Sequence, residues 1–155
     1  MDCQYSKGFI EELEGMKLSN PKDRVGIRKP PVSPIPQTVI AEVGVGMMEG
    51  ARKYGRHNYR EIGVTASVYF DATRRHLDRW WEGEDTDPDS GLCHVTKAIC
   101  SLVVLRDAMI QKKLTDDRPP KAPEWHKAYL QELVDAIFER YPESQPPVTE
   151  ENYRD

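Results

Sequence analysis

The chain has 155 residues, 38% apolar and 31% charged, with a formal net charge of −4. That is one domain's worth of sequence, too apolar for a disordered chain and too acidic for a surface built to neutralise nucleic-acid phosphates. No run approaches the roughly 18 apolar residues of a membrane span, the start MDCQYSKGFIEELEG lacks an apolar signal core, and Cys3, Cys93 and Cys100 contain no C-x-x-C pair; a reduced, cytoplasmic protein without membrane or nucleic-acid partner is expected.

In chain order, GFIEELEGMKL (8–18) suits a short helix, and SNPKDRVGIRKPPVSPIPQ is rich enough in proline to run extended as an arm, so residues 1–37 form an N-terminal segment. From Thr38 to Tyr54, apolar residues recur at three- and four-residue steps, predicting a first main helix that Gly55 stops. RHNYREIGVT reads as a loop, and a second helix follows from Ala66 to Glu82, ended by Gly83. Asp87-Pro88 is a helix start signal, with Asp as N-cap and Pro at the first helical position, so a third helix is predicted from there to Leu114. Pro123 opens a fourth, and SQPPVTEENYRD is a frayed tail. The expectation is an all-α domain over 38–141, a bundle of about four main helices, with a tail over 142–155.

At about 100° per residue, Glu42, Glu49 and Lys53 of the first helix fall within about 40° of one line, opposite Ile40, Val43, Met47 and Tyr54. Asp71, Arg75, Asp78 and Glu82 repeat the pattern on the second helix, opposite Tyr69, Phe70, His76, Leu77, Trp80 and Trp81. On wheel geometry alone both stripes read first as solvated faces of amphipathic helices, with metal-binding walls as the alternative. Asp78 and Glu82 are like charges four residues apart, a pairing that costs a few tenths of a kcal/mol unless a cation intervenes; Arg74, Arg75 or a metal ion would relieve it.

The middle of the third helix, AICSLVVL, is apolar nearly all round and marks a covered central helix, yet His94, Lys97 and Ser101 share one arc. Polar groups there must be paired or face a cavity, and a lysine there calls for an anion. His76 reads as structural, bonding the next element, and the tryptophans as core or interface. In the joining loop GEDTDPDSG, Asp87 and Asp89 have helix-start duties, whereas Glu84 and Asp85 stand at the mouth of the polar arc. The loop lacks the EF-hand spacing. Carboxylates from two helices and a loop make a hard-oxygen environment that suits Mg2+ or Mn2+, which a nucleoside triphosphate would complete. No H-E-x-x-H, His-Asp dipeptide, G-x-S-x-G, P-loop or G-x-G-x-x-G is present, so a zincin, an HD-type phosphohydrolase, a serine hydrolase and the common nucleotide loops lack their main support. Cys93-His94 is poor geometry for one zinc ion.

NPKD at 20–23, GARKYGRHNYR at 50–60 and YFDATRRHL-x-x-WWEGEDTDPDSGL-x-H at 69–94 resemble the phage-associated dATP/dGTP diphosphohydrolases of the MazZ type, related to the MazG-like all-α nucleoside triphosphate pyrophosphohydrolases. The resemblance covers roughly residues 20 to 118. It implies a MazG-like helical bundle, a homodimer or homotetramer, and cleavage of a purine deoxynucleoside triphosphate, dGTP before dATP, to monophosphate and pyrophosphate. It also implies service to phage nucleotide metabolism such as 2-aminoadenine synthesis. The E-x-x-E and E-x-x-D pairs of the wider superfamily are not intact: Glu42 is followed by Val45, and the third helix offers His94-x-x-Lys97.

On that resemblance, Glu42, Glu49, Asp71 and Glu82 are expected to hold two or three Mg2+ or Mn2+ ions, with Asp78 and Asp85 in reserve. Lys53, Arg75 and Lys97 are expected to meet phosphate, with His94 beside them, and Asn58 to read a base or sugar edge. A non-enzymatic helical interaction module of a phage, and a metal-dependent hydrolase releasing a single phosphate, are the alternatives.

Overall fold

A computed structural model describes residues 20–150, so the short helix expected over 8–18 lies outside the described residues. These contain six helices and two strands: α1 (Pro21–Gly26), α2 (Gln37–Tyr54), α3 (Asn58–Ile62), β1 (Val64–Thr65), α4 (Ala66–Trp81), α5 (His94–Ile110), β2 (Leu114–Thr115) and α6 (Glu124–Arg140). The fold is all-α, with strands of only two residues each. No described helix is long and apolar enough to cross a membrane.

The predicted α2 and α4 appear with their bounds shifted by a single residue, because each carries a full apolar period and a glycine stop. Three segments differ from expectation. The extended arm is interrupted by α1, where the Asn20 side chain accepts from Lys22 N at 2.9 Å and Pro21 opens the helix; the Asn-Pro pair is itself a start signal. The loop expected after Gly55 holds α3 and β1. Arg60 ties α3 to α5 through two hydrogen bonds to the Asp107 carboxylate, at 2.7 and 2.8 Å, and β1 lies parallel to β2 with Val64 opposite Leu114. Gly63 makes that approach feasible: its φ is 87°, and a Cβ there would sit 2.7 Å from the Lys113 carbonyl oxygen.

The third difference is the extent of α5, which stops at Ile110 rather than Leu114, the latter lying in β2, and which does not begin where expected. Asp87 does not cap it; Cys93 precedes its first residue, His94. Residues 86–93 instead close into a small hairpin, with Asp87 N donating to Leu92 O and Gly91 N to Asp87 O, both at 2.8 Å, and a bridge between Thr86 and Cys93. Backbone pairing outcompetes the capping signal and turns Asp87 inward, where it is buried.

α5 packs against both α4 and α2. Ala98, Cys100, Val104 and Ala108 are its buried face, whereas Leu102, Val103 and Ile110 are exposed, so α5 is not covered all round within one chain. On α4, Ala66 and Thr73 are buried, while Phe70, Trp80 and Trp81 are exposed within the chain, so the two tryptophans are not core residues of one chain. The N-terminus of α4 is held from a distance: Ser67 N donates to Asp117 Oδ1 at 2.8 Å, an anion placed where the helix dipole favours one.

The chain divides after Asp117 into two units, a division that falls inside the span 38–141 taken from sequence as one domain. In the second unit, Pro123 precedes α6 as expected, with Glu124 in its first turn and Arg140 in its last, both favourable to the helix dipole.

Candidate functional site

Close packing of α2 on α5 builds the site. A Cβ on Gly46 would lie 2.6 Å from Cys100 Sγ, so only glycine lets the two backbones come this near. The Cys100 thiol donates to Val43 O at 3.6 Å in the same contact. One turn along α2 from Gly46, the Glu49 carboxylate meets α5: Lys97 Nζ donates to Glu49 Oε2 at 2.6 Å, and Lys53 donates to Oε1. These bonds, Lys53 first and Lys97 second, hold the Glu49 carboxyl below its usual range. Lys97 also stands 3.9 Å from Asp87 Oδ2. The anion that Lys97 required is thus protein carboxylate.

Above this group opens a cavity of about 360 Å3, walled by the C-terminal half of α2, the 55–57 turn, α3, Tyr69 of α4 and α5, within the size range of small-molecule sites. Its charged lining, histidine aside, is Lys53, Arg56, Lys97 and Glu49, three cations against one anion in a chain whose net charge is −4. His57, Tyr54, Tyr59 and Tyr69 supply ring surface, and Asn58 an amide. His57 holds a left-handed backbone, φ 61°, at the turn into α3, a conformation that costs a non-glycine residue roughly 1 kcal/mol.

Of the residues singled out from sequence, Glu49, Lys53, Asn58 and Lys97 line this cavity. Glu42 lies further toward the N-terminus of α2, where it accepts from Thr96 Oγ1 at 2.7 Å. Asp71, Arg75, Asp78 and Glu82 are exposed and outside the cavity lining; Asp78 takes Arg74 Nε at 2.7 Å, which relieves the repulsion without a metal ion. Asp85 is exposed, and its carbonyl accepts from His94 N at 3.0 Å. His94 is wholly buried and turned toward α4. The carboxylates of Glu42, Glu49, Asp71, Asp78, Glu82 and Asp85 therefore form no common ligand set. Among the described residues, the one group of three His, Cys, Asp or Glu with donor atoms within 4.8 Å of one another is His76, Asp87 and His94.

From sequence, His76 and Asp87 are expected to have structural duties. His76 does reach the next element, its Nδ1 lying 2.8 Å from His94 Nδ1. Burial first, and His94 second, push the His76 imidazole below its usual range. Burial raises the Asp87 carboxyl, but the Ser90 hydroxyl, Lys97 and the two imidazoles together hold it below its ordinary value. The signal available in the sequence is flanking position: His76 falls within α4 and His94 opens α5, on either side of a hairpin-forming D-x-x-S-G run.

Residues 19–118 match the family model described as dATP/dGTP diphosphohydrolase, N-terminal. A dATP/dGTP diphosphohydrolase of Salmonella phage PMBT28 is 30% identical over 90 residues, which are 58% of this chain and 30% of that protein. The chain thus spans less than a third of the relative's length. No solved structure matches it.

Proposed function

The chain belongs to the dATP/dGTP diphosphohydrolase family, and from that premise we propose that it hydrolyses a purine deoxynucleoside triphosphate, dGTP before dATP, to the monophosphate and pyrophosphate. The observation that carries this reading is the cavity whose lining is cationic in an anionic protein. Polyphosphate carries several negative charges, and ammonium groups in a partly enclosed site bind it by charge-assisted bonds.

Glu49 is at once the anion that holds Lys53 and Lys97 in place and the group an entering triphosphate would displace. When phosphate oxygens take over the two ammonium groups, the carboxylate loses both partners and its affinity for a proton rises. It is then placed to orient a water and accept its proton as the water oxygen attacks the α-phosphorus; the bond to the β-phosphate bridge oxygen breaks and pyrophosphate leaves. Tyr54, Tyr59 and Tyr69 offer faces for a purine, and Asn58 an amide for its edge.

The acids named from sequence do not converge in one chain, so they do not fit a cluster of two or three Mg2+ or Mn2+ ions there. The divalent ion of this reading enters with the substrate, as the Mg2+ or Mn2+ complex of the triphosphate. Self-association into a dimer or tetramer is part of the same proposal; its support is the exposure of Leu102, Val103 and Ile110 on α5 and of Phe70 and Trp81 on α4, apolar surface of the kind oligomers cover. Service to phage nucleotide metabolism, 2-aminoadenine synthesis included, follows from the resemblance alone.

The test is product analysis across the eight common nucleoside and deoxynucleoside triphosphates with Mg2+ or Mn2+. The expected outcome is dGMP or dAMP with pyrophosphate in equal amounts. Release of orthophosphate would favour the single-phosphate hydrolase, and no turnover with any of the eight the interaction module.

A further inference from the structure

His76 and His94 face each other through their Nδ1 atoms at 2.8 Å, and Asp87 brings a carboxylate oxygen within 4.8 Å of donor atoms on both. His94 is wholly buried, and its other nitrogen, Nε2, has no hydrogen-bond partner. A hydrogen bond from His76 Nδ1 to His94 Nδ1 would account for the contact and would leave the one hydrogen of His94 on Nε2, but it gives the buried Asp87 carboxylate beside the two rings no counter-charge from them. A buried, unsatisfied polar atom carries a desolvation penalty, and native structures hold few of them.

A cation between the rings accounts for both nitrogens of His94 and also gives the buried Asp87 carboxylate a counter-charge. If the two Nδ1 lone pairs point at a cation, each ring carries its hydrogen on Nε2. The Nε2 of His94 then aims its N–H toward Glu84, whose Oε1 is 3.6 Å away. A carboxylate behind a ligating imidazole is a recurring second partner in metal sites, fixing the tautomer and the ring plane. The spacing also suits an ion. Metal–nitrogen bonds of about 2.0–2.1 Å place two ligand nitrogens about 2.9 Å apart at a right angle and about 3.4 Å apart at the tetrahedral angle. The observed 2.8 Å is near the right-angle value and reaches the tetrahedral one with an opening of about 0.6 Å.

We propose that His76, Asp87 and His94 form a binding site for one first-row transition-metal dication, Zn2+ foremost, with at least one position left open. Two imidazoles and one carboxylate favour such ions over Mg2+, which prefers an all-oxygen shell. Each protein ligand has a structural reason to be where it is. His76 comes from α4, His94 opens α5, and the 86–93 hairpin carries Asp87 between them, fastened by Ser90 Oγ at 2.5 Å. Lys97 stands between Asp87 and Glu49, so the site adjoins the cavity wall while sharing none of its cavity-lining groups. The inference does not depend on the hydrolase reading.

The experiment uses the full chain, stripped with a chelator, desalted, and titrated with Zn2+ by calorimetry and with Co2+ by visible absorption. One ion per chain is expected, with intense visible bands for Co2+, undiminished by a large excess of Mg2+. His76→Gln and Asp87→Asn should each weaken Zn2+ binding at least about tenfold, and Cys93→Ser should leave it unchanged. Circular dichroism accompanies each variant, and Asp87→Asn serves if His76→Gln does not fold. Absence of heat and of visible bands would overturn the site, as would wild-type affinity in the folded variants or loss of binding in Cys93→Ser. Because Zn2+ and Co2+ are added alone, failure here leaves the product assay to decide the hydrolase reading separately.

Discussion

The acidic stripes of α2 and α4 are near copies on a helical wheel and have different fates in the fold. On α2, Glu42 accepts from Thr96 and Glu49 from Lys97, both across to α5. On α4, Asp71, Asp78 and Glu82 stay exposed, and the recorded partner of Asp78 is its own neighbour Arg74. What separates them is the facing helix. Gly46 and Cys100 let α2 approach α5 closely, and α5 presents a hydroxyl and an ammonium at the height of the two glutamates. Amphipathic pattern alone marks where acids sit on a helix, whereas function depends on what the neighbouring helix offers them.

The largest expected contrast is catalytic. Glu49→Gln removes the charge that holds Lys53 and Lys97 and should lower kcat/KM for dGTP by at least about a hundredfold, about 2.7 kcal/mol of transition-state stabilisation. Asp71→Asn and Glu82→Gln should change it less than about threefold. Steady-state pyrophosphate release from the three variants would erase the contrast if all fell together.

Next comes packing. Gly46→Val drives a branched side chain into Cys100 and should destabilise the fold by about 1–3 kcal/mol, whereas Gly44→Ala, where a Cβ would meet nothing within 4 Å, should be neutral or slightly stabilising. Urea midpoints of the two variants measure the difference.

Lys97→Met should weaken kcat/KM by about tenfold or more, the loss of one charge-assisted contact of about 1.5–3 kcal/mol. The structure also puts Lys97 against Glu49 at 2.6 Å and within 3.9 Å of Asp87. The same variant should therefore lose stability, because Asp87 loses its nearby lysine and Glu49 keeps only Lys53. A lysine that met only substrate would show the activity loss without the stability loss.

The smallest effect is the pH dependence of stability. The folded-state pKa of Glu49 lies below its unfolded value of 4.5, so its contribution is present above that value and disappears as pH falls through the folded pKa. Glu49→Gln should flatten the acid limb of the melting-temperature profile below about pH 4.5.

Residues whose fate is decided locally were readable from the sequence. The period from Thr38 to Tyr54, the period from Ala66 and the Pro123 start each carry their own signal, and α2, α4 and α6 appear there. The cluster of Glu49, Lys53, Asn58 and Lys97 was half legible: Lys97 on an apolar helix demanded an anion, but nothing nearby in sequence identified Glu49, 48 positions away. Long-range partners account for most of what was missed. α3 is held by Arg60 to Asp107, β1 by β2, and the start of α4 by Asp117, none of which leaves a local trace. At Asp87 a valid local signal lost to backbone pairing, as the 86–93 hairpin shows.

The central claim is that triphosphate binds in the cavity at Lys53 and Lys97 and away from the α4 stripe. The most direct measurement is calorimetric binding of a non-hydrolysable dGTP analogue, bridged by carbon between the α- and β-phosphates, to the wild type, Lys97→Met and a combined Asp71→Asn, Glu82→Gln variant. Affinity reduced at least about tenfold by Lys97→Met, and changed by less than about twofold in the α4 variant, is the predicted result. Wild-type affinity in Lys97→Met with weakened binding in the α4 variant would contradict the account and move the phosphate site onto α4.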